Sequence, residues 1–117
     1  MRRDDDYIRS LLFSYEESDE WLLMMPGDTI GANEDERRER YHVLLMSDAG
    51  LVTEVGRGTF RLTDYGHDYI NAIRSDTIWK KTKDGALEIG GATLGMMRDI
   101  AVAYLKQAAA EKLGIGL

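Results

Sequence analysis

The sequence predicts a mainly α-helical domain with a small β-hairpin, an α+β fold. Three observations predict this class. Apolar residues recur at helical spacing in several separate stretches. Two short runs rich in β-forming residues flank Gly56-Arg57-Gly58, which supplies the backbone freedom of a tight turn. The 117 residues, 44% of them hydrophobic, suffice for one core but not for two.

The first predicted helix begins after Asp4, a residue type that favours the N-cap position. It ends near residues 17 to 19, and its apolar stripe follows amphipathic spacing: Tyr7, Ile8, Leu11, Leu12 and Tyr15. Three consecutive acids, Asp4, Asp5 and Asp6, suit the positive end of the helix dipole. We therefore interpret these acids as capping residues and not as a metal cluster.

A short strand and a second helix are predicted next. The apolar run at residues 21–25 is closed by Pro26-Gly27, which favours a buried strand over a helix. Residues 28–32 are expected to form a loop or a single turn. Asn33 followed by Glu36 has the spacing of a capping box, so a helix is expected from there to Gly50.

This second helix has two distinct sides when it is wound at about 100° per residue. One broad arc is predicted to face the core: Tyr41, His42, Val43, Leu45, Met46 and Ala49. The opposite side carries Arg37, Arg40, Leu44 and Ser47, so a lone leucine lies among two arginines and a serine. This second side is the candidate recognition surface.

Residues 51–55 and 59–63 are predicted to form a hairpin with Arg57 at its tip. Thr63 can cap the following helix, whose inward stripe is Tyr65, Tyr69, Ile70 and Ile73, before Ile78 and Trp79 extend it or begin another turn. A basic cluster follows at Lys80, Lys81 and Lys83.

The last predicted helix follows a loop at residues 85–91. It opens at Thr93 and ends at Gly114. Its stripe consists of Leu94, Met97, Ile100, Ala101, Tyr104, Leu105 and Ala108. Core packing of this stripe is one interpretation, and the other is a homodimer interface that includes Met97, Ile100 and Tyr104.

Composition limits the classes of function. No stretch approaches the roughly 20 apolar residues of a membrane span, and the first residues lack the apolar region of a signal peptide, so we expect a cytoplasmic protein. With no cysteine, the chain has neither disulfides nor thiolate chemistry. A formal charge of -6 opposes indiscriminate attraction to phosphate backbones, although a local basic face can act on an acidic protein.

The order of helix, strand, helix, two-stranded hairpin and helix resembles that of bacterial winged-helix regulators. In many of them a Leu-Leu pair and an Ala-Gly-Leu-Val segment end the recognition helix, and an Arg-Leu-Thr segment with a later glycine follows the wing. The matching residues here are Leu44, Leu45, Ala49 to Val52, Arg61 to Thr63 and Gly66. The resemblance implies a winged-helix-like fold whose usual second helix is shortened or absent.

Nearly the whole chain also resembles a family of small bacterial and prophage proteins known only as a domain of unknown function. The matching residues are Met1 to Asp4, Tyr41, His42, Leu44, Leu45, Ala49 to Leu51, Arg61 to Thr63, Gly66, His67, Tyr69, Ala72, Arg74, Asp76, Thr77, Trp79 and Lys81. The resemblance implies a winged-helix-like fold and a phage or prophage setting, and it brings no established activity or site residues. The wing is shorter here than in many relatives.

We accordingly expect one winged-helix-like domain over residues 1–117, with its core in 1–84 and a loop and C-terminal helix in 85–117. No pattern indicates catalysis, a metal site or a cofactor. His42 lies in the core arc and is predicted to be buried and hydrogen-bonded, while His67 and Asp68 point about 100° apart and are interpreted as capping or packing residues. The glycines of residues 85–95 lack the spacing of a phosphate-binding loop.

The leading hypothesis is therefore a non-enzymatic phage or prophage regulator that binds DNA through its second helix. Arg37, Arg40 and Ser47 could contact phosphates or a guanine edge, and Leu44 a thymine methyl. Further backbone contacts are assigned to Arg57, Lys80 and Lys81.

The alternative hypothesis is an acidic module that binds a protein. The acids around the two arginines would repel phosphate, and they are Glu34, Asp35, Glu36 and Glu39. Such a module would be an adaptor or an inhibitor of a host or defence complex, for example a nucleic-acid mimic.

Overall fold

A computed structural model describes residues 1–25 and 31–116. The elements in chain order are α1 Asp5–Glu17, β1 Leu22–Met24, α2 Glu34–Asp48, β2 Val52–Gly56, β3 Thr59–Leu62, α3 Asp64–Ile73, α4 Asp76–Glu88 and α5 Leu94–Leu113. The predicted α+β class is confirmed, since helices dominate the described residues and the strands form one antiparallel sheet. Most of the predicted loop at residues 28–32 lies outside the described residues.

The chain divides into two compact units, residues 1–67 and residues 68–117. The first unit holds α1, the sheet, α2 and the start of α3, and the second holds the rest of α3 together with α4 and α5. The assignment of all 117 residues to one domain stays a prediction.

The predicted helix starts are confirmed at three N-caps. Each side chain accepts a hydrogen bond from the backbone N–H three residues later: Asp4 from Tyr7 at 3.0 Å, Asn33 from Glu36 at 2.8 Å and Thr93 from Met96 at 3.1 Å. Asp5 and Asp6 follow Asp4 in the first turn of α1, where their negative charges interact favourably with the positive end of the helix dipole. Gly114, with φ of 67°, ends α5 in the left-handed conformation that was expected for a C-terminal glycine.

The sheet has the strand order β1-β3-β2, and both neighbouring pairs are antiparallel. Leu23 of β1 lies opposite Phe60 of β3, and both side chains are buried. The predicted hairpin is confirmed, but its turn is shorter than expected because Gly56 pairs with Thr59 and belongs to β2. Gly58 alone supplies the positive φ of this turn, at 72°.

The base of the hairpin is closed by three residues that we call the clasp: Leu51, Thr63 and Gly66. The Leu51 carbonyl accepts the Thr63 backbone N–H at 3.0 Å. The Thr63 hydroxyl donates to the Gly50 carbonyl at 2.5 Å and lies 3.0 Å from the Leu51 oxygen. The Thr63 hydroxyl in turn accepts the Gly66 N–H at 3.0 Å, so Thr63 caps α3 as predicted. A Cβ at Gly66 would lie 2.1 Å from the Leu51 oxygen, hence only glycine fits this approach.

His42 of α2 joins the N-terminus of α1 to α2. Its ring is fully buried, and its Nε2 accepts the Asp4 backbone N–H at 3.0 Å. Because Nε2 accepts, Nδ1 carries the hydrogen and donates it to the Arg38 carbonyl at 2.8 Å. The Arg38 guanidinium completes this junction by pairing with Asp4 at 2.7 Å and lying 3.9 Å from the Tyr7 ring centroid. The predicted buried and hydrogen-bonded histidine is confirmed.

The second unit is built on the contact between α4 and α5. The Ser75 side chain caps α4 by accepting the Ile78 N–H at 3.2 Å. Ile78 and Trp79 therefore lie in the first turn of a separate helix and do not extend α3. Both are buried, as are Met97 and Ala101 of α5.

The predicted loop at residues 85–91 is wrong in its first half, because α4 continues to Glu88. Gly85 lies inside this helix, where a Cβ would be 3.4 Å from the Tyr104 hydroxyl. The glycine therefore permits α5 to pack closely and does not end the helix. The turn itself follows at Gly90 and Gly91, with φ of 83° and 120°.

Among the described residues, no helix has both the length and the apolar content needed to cross a membrane.

Candidate nucleic-acid interface

The predicted outer side of α2 is a real surface. Arg37, Arg40, Leu44 and Ser47 follow one another at spacings of three and four residues, so they lie along one side of the helix. Arg37 is exposed, Leu44 keeps 41% of its surface exposed, and Arg40 and Ser47 are half-buried. The opposite side buries His42, Val43 and Met46, as the periodicity predicted.

Acidic residues dominate the first turn of α2. Glu34, Asp35 and Glu36 are all exposed there. Their charge stabilises the helix N-terminus, but it would repel a phosphate that approached this end. Arg38 does not offset it, since its guanidinium pairs with Asp4. The cationic part of the α2 surface therefore depends on Arg37 and Arg40.

Arg57 is exposed at the turn of the hairpin, as predicted. The turn is held by the Glu54 carboxylate, which accepts the Gly58 N–H at 3.2 Å. Arg57 and α2 belong to the same compact unit, so the first unit carries these two cationic elements of the candidate interface.

The lysine cluster lies on α4, in the unit of residues 68–117, and not beside a loop. Lys80 and Lys81 are both exposed. The Lys80 Nζ is 2.8 Å from an Asp84 carboxylate oxygen, and this hydrogen bond raises the pKa of Lys80. Lys81 lies 5.9 Å from the centroid of the Tyr104 ring. Lys80 is thus already paired with an acid, which weakens its case as a phosphate contact.

The three residues assigned to a dimer interface differ in burial. Met97 is only 2% exposed, so its side chain is in the core of its own unit. Ile100 and Tyr104 are half-buried and line the α4 side of α5, where both approach Gly85. The dimer interface stays a prediction, and Met97 can contribute to it only through the packing of α5.

The histidines provide little chemistry at the surface. The ring of His42 is fully buried, with both nitrogens hydrogen-bonded. His67 is exposed in the first turn of α3, and its backbone N–H donates to the Thr63 carbonyl at 2.9 Å. Within residues 1–25 and 31–116, no group of three or more His, Cys, Asp or Glu side chains could hold a metal ion.

Sequence reasoning missed a second surface in the first unit. Residues 21–25 were predicted to form a buried strand, yet Trp21 is 66% and Met24 69% exposed. The strand itself is confirmed as β1, and Leu23 and Met25 are buried as expected. The sheet buries only one of its faces, so alternate side chains such as Met24 remain exposed. A cleft of about 250 Å³ opens beside it and is lined by Tyr15, Glu16, Ser18, Asp19, Glu20, Trp21, Arg61, Leu62 and His67. Four acids among the five residues before Trp21 were the available sequence signal.

Comparisons with known proteins agree with the resemblance seen in the motifs. Residues 2–93 match the sequence profile of a family described as "Hypothetical protein (DUF2513)". An uncharacterized protein of Haemophilus influenzae (strain ATCC 51907 / DSM 11121 / KW20 / Rd) is 30% identical over 92 residues, which span 71% of this chain and 76% of that protein. No solved structure matches the chain. The chain therefore belongs to the DUF2513 family of hypothetical proteins.

Proposed function

We propose that this chain is a winged-helix module that binds duplex DNA through α2 and acts as a non-enzymatic regulator in a phage or prophage setting. The observation that carries the proposal is the sheet order β1-β3-β2, in which the strand before α2 pairs with the second strand of the hairpin after it. One side of α2, which bears the exposed Arg37 and Leu44, lies outside the core. In helix-turn-helix proteins the corresponding helix enters the major groove.

The side chains on α2 suit base contacts. Arg37 has the donors for the N7 and O6 atoms of guanine, and the exposed part of Leu44 can contact a thymine methyl. A helix with its side chains is about 10 to 12 Å wide, which matches the roughly 12 Å width of the major groove. Arg57 at the hairpin turn would contact the phosphate backbone.

The charge of the first unit sets the expected mode of binding. Residues 1–67 contain 15 acidic and 8 basic residues, a formal charge of -7. Non-specific attraction to DNA is therefore weak, and affinity must come from a few local contacts. If Arg37, Arg40 and Arg57 each neutralise one phosphate, log K falls with log salt at a slope of about -2.7.

Fluorescence anisotropy tests the proposal. The purified protein is titrated into labelled random duplexes and phage or host genomic duplexes at two salt concentrations. We expect salt-sensitive binding that disappears in a variant with both Arg37→Ala and Arg40→Ala. The matched control carries Arg74→Ala and Lys106→Ala, two exposed basic residues outside the candidate interface and the α4–α5 groove. It loses the same two positive charges and should retain binding. Absence of binding at micromolar protein and low salt would contradict the proposal.

A second candidate function is the binding of a basic protein by the acidic end of α2. The observation that favours it is the exposure of Glu34, Asp35 and Glu36 in one helical turn. A variant with Glu34→Gln and Asp35→Asn removes two charges and keeps the shapes of the side chains. The protein-binding function would be favoured if this variant lost a specific partner while the variant and the wild type gave the same anisotropy with labelled DNA.

Self-association through α5 belongs to the first proposal, because regulators of this type bind paired half-sites as dimers. A groove of about 520 Å³ between α4 and α5 is lined by apolar residues that include Leu105, Ala108 and Leu113. Light scattering should give twice the monomer mass of 13.2 kDa. A monomer mass at high protein concentration would remove dimerisation from the proposal.

A further inference from the structure

The outer edge of β1 presents backbone groups that the sheet does not use. The Met25 N–H donates to the Gly58 carbonyl at 2.8 Å, in register with the pairing of β1 and β3. Hydrogen-bonded residues alternate along an antiparallel strand, so Leu23 bonds to β3 in the same way as Met25. Leu22 and Met24 therefore direct their N–H and C=O groups away from β3. Among the described residues, no strand pairs with this edge.

The opposite edge of the sheet, on β2, differs in chemistry. Glu54 places a charge on that edge, and the register between β2 and β3 shifts between Glu54 and Gly56. Charges and bulges of this kind are features by which proteins prevent unwanted strand pairing. The three residues of β1 are uncharged and their register with β3 is regular. Only the β2 edge therefore carries these protective features.

The chain directly before β1 adds a binding surface for a basic side chain. Trp21 exposes its indole, and Asp19 and Glu20 line the same cleft. Both carboxylates are exposed, and within residues 1–25 and 31–116 neither has an ion-pair partner. An aromatic face beside carboxylates attracts a guanidinium or ammonium group through both cation–π and Coulomb terms.

We propose that β1 receives an extended segment of a partner protein as an additional strand. Backbone groups of that segment bond to Leu22 and Met24, and a Lys or Arg side chain of the segment packs against Trp21 beside Asp19 and Glu20. The occupant is a basic segment because three carboxylates line the cleft, those of Glu16, Asp19 and Glu20, against the single guanidinium of Arg61. β1 offers only two outward residues, so the cleft must provide much of the specificity. This proposal does not depend on DNA binding.

NMR of the full-length protein tests the proposal. The ¹⁵N-labelled protein is titrated with a capped decapeptide of alternating arginine and valine. We expect shifts at the backbone amides of Leu22 and Met24, and slower hydrogen exchange at both. Fluorescence should change through Trp21, because Trp79 is 4% exposed and does not contact the peptide.

Two peptide controls separate strand addition from simple charge attraction. A decapeptide with glutamate in place of arginine should bind with an affinity lower by a factor of about ten or more. A basic peptide with alternate backbone nitrogens methylated keeps its charge but cannot form the new ladder, so it should give no exchange protection. The proposal would be overturned if the acidic peptide bound as tightly as the basic one. It would also be overturned if the methylated peptide slowed hydrogen exchange as much as the unmethylated peptide does.

Met24→Pro tests the same edge from the protein side. It removes an N–H that points away from β3, so the existing ladder keeps its bonds. Affinity for the basic peptide should fall roughly three- to tenfold, the effect of one hydrogen bond. Met24→Ala is the matched control, since it shortens the same exposed side chain but keeps the outward N–H, and it should retain binding. Protection that rises with protein concentration without peptide would instead assign the edge to a second copy and overturn the proposed occupant.

Discussion

The two compact units hold their helices together in different ways. In residues 1–67, backbone and polar atoms meet at fixed positions, as at the clasp and at His42. In residues 68–117, apolar side chains of α4 and α5 fill the contact, with Gly85 as the point of close approach. At the clasp, backbone atoms would block an added methyl group, whereas at Gly85 the nearest atom is the end of a side chain that can move. An added methyl should therefore destabilise the clasp much more than the contact between α4 and α5.

Gly66→Ala should have the largest effect. The new methyl would overlap the Leu51 carbonyl oxygen, a backbone atom that the clasp holds in place. We expect the free energy of unfolding to fall by about 3 to 5 kcal/mol, as measured by urea denaturation followed by circular dichroism. Gly95→Ala is the control, because no atom lies within 4 Å of its new methyl. A loss below about 1 kcal/mol at Gly66 would show that the clasp can open at little cost.

His42→Ala should be the next most destabilising change. It leaves the Asp4 N–H without its acceptor, removes the additional bond from the ring to the Arg38 carbonyl, and opens a cavity beside Tyr7. A loss of about 2 to 4 kcal/mol is expected in the same urea experiment. His67→Ala removes an exposed ring and should change stability by less than about 0.5 kcal/mol. Similar losses in the two variants would contradict the role given to the α1–α2 junction.

Tyr15→Phe should have a smaller effect that depends on pH. The hydroxyl donates a hydrogen bond to Glu39. Burial is the main cause, and this hydrogen bond the second, that raises the pKa of Tyr15 above its usual value near 10. Above pH 10 the unfolded chain loses this proton while the folded chain keeps it, so stability falls as pH rises.

At neutral pH the free energy of unfolding of the Tyr15→Phe variant should be about 1 kcal/mol lower than that of the wild type, which is the contribution of one hydrogen bond. Its stability should then decline less steeply than that of the wild type between pH 9 and about pH 11. Urea denaturation at a series of pH values measures both quantities. Identical pH profiles would show that the hydroxyl does not keep its proton through folding.

Gly85→Ala should have the smallest effect, and it should raise the free energy of unfolding and not lower it. Alanine stabilises a helix by about 0.5 to 1 kcal/mol relative to glycine. The new methyl would meet the Tyr104 hydroxyl at 3.4 Å, at the far end of a half-buried side chain that can move. A net gain of about 0.5 kcal/mol is expected in thermal or urea unfolding. A loss above about 1 kcal/mol would show that the second unit is as intolerant as the first.

Local chemistry made most of the fold predictable. Capping residues such as Asn33 and the turn at Gly58 act through neighbours in the sequence, so their effects could be inferred without the structure. The failures concern distant contacts. Gly85 was interpreted as a helix end because nothing local indicates that Tyr104 packs against it.

The candidate sites follow the same rule. The two sides of α2 could be predicted because helical periodicity alone separates Arg37 from His42. The exposure of Trp21 could not, since an apolar run in the sequence does not show which of its side chains face the core. The junction of His42 with Asp4 joins residues 38 positions apart and gave no local signal.

The clasp also has a consequence for how this family can vary. Leu51 and Thr63 are 12 positions apart, and their hydrogen bonds close the hairpin at its base. Residues added at the Arg57-Gly58 turn would therefore lengthen the hairpin without changing the hydrogen bonds at its base. Doubling the length of such a closed segment costs only about 0.6 kcal/mol in chain entropy. Insertions at the turn should thus be nearly neutral for folding, which leaves the hairpin free to be longer in other members of the family.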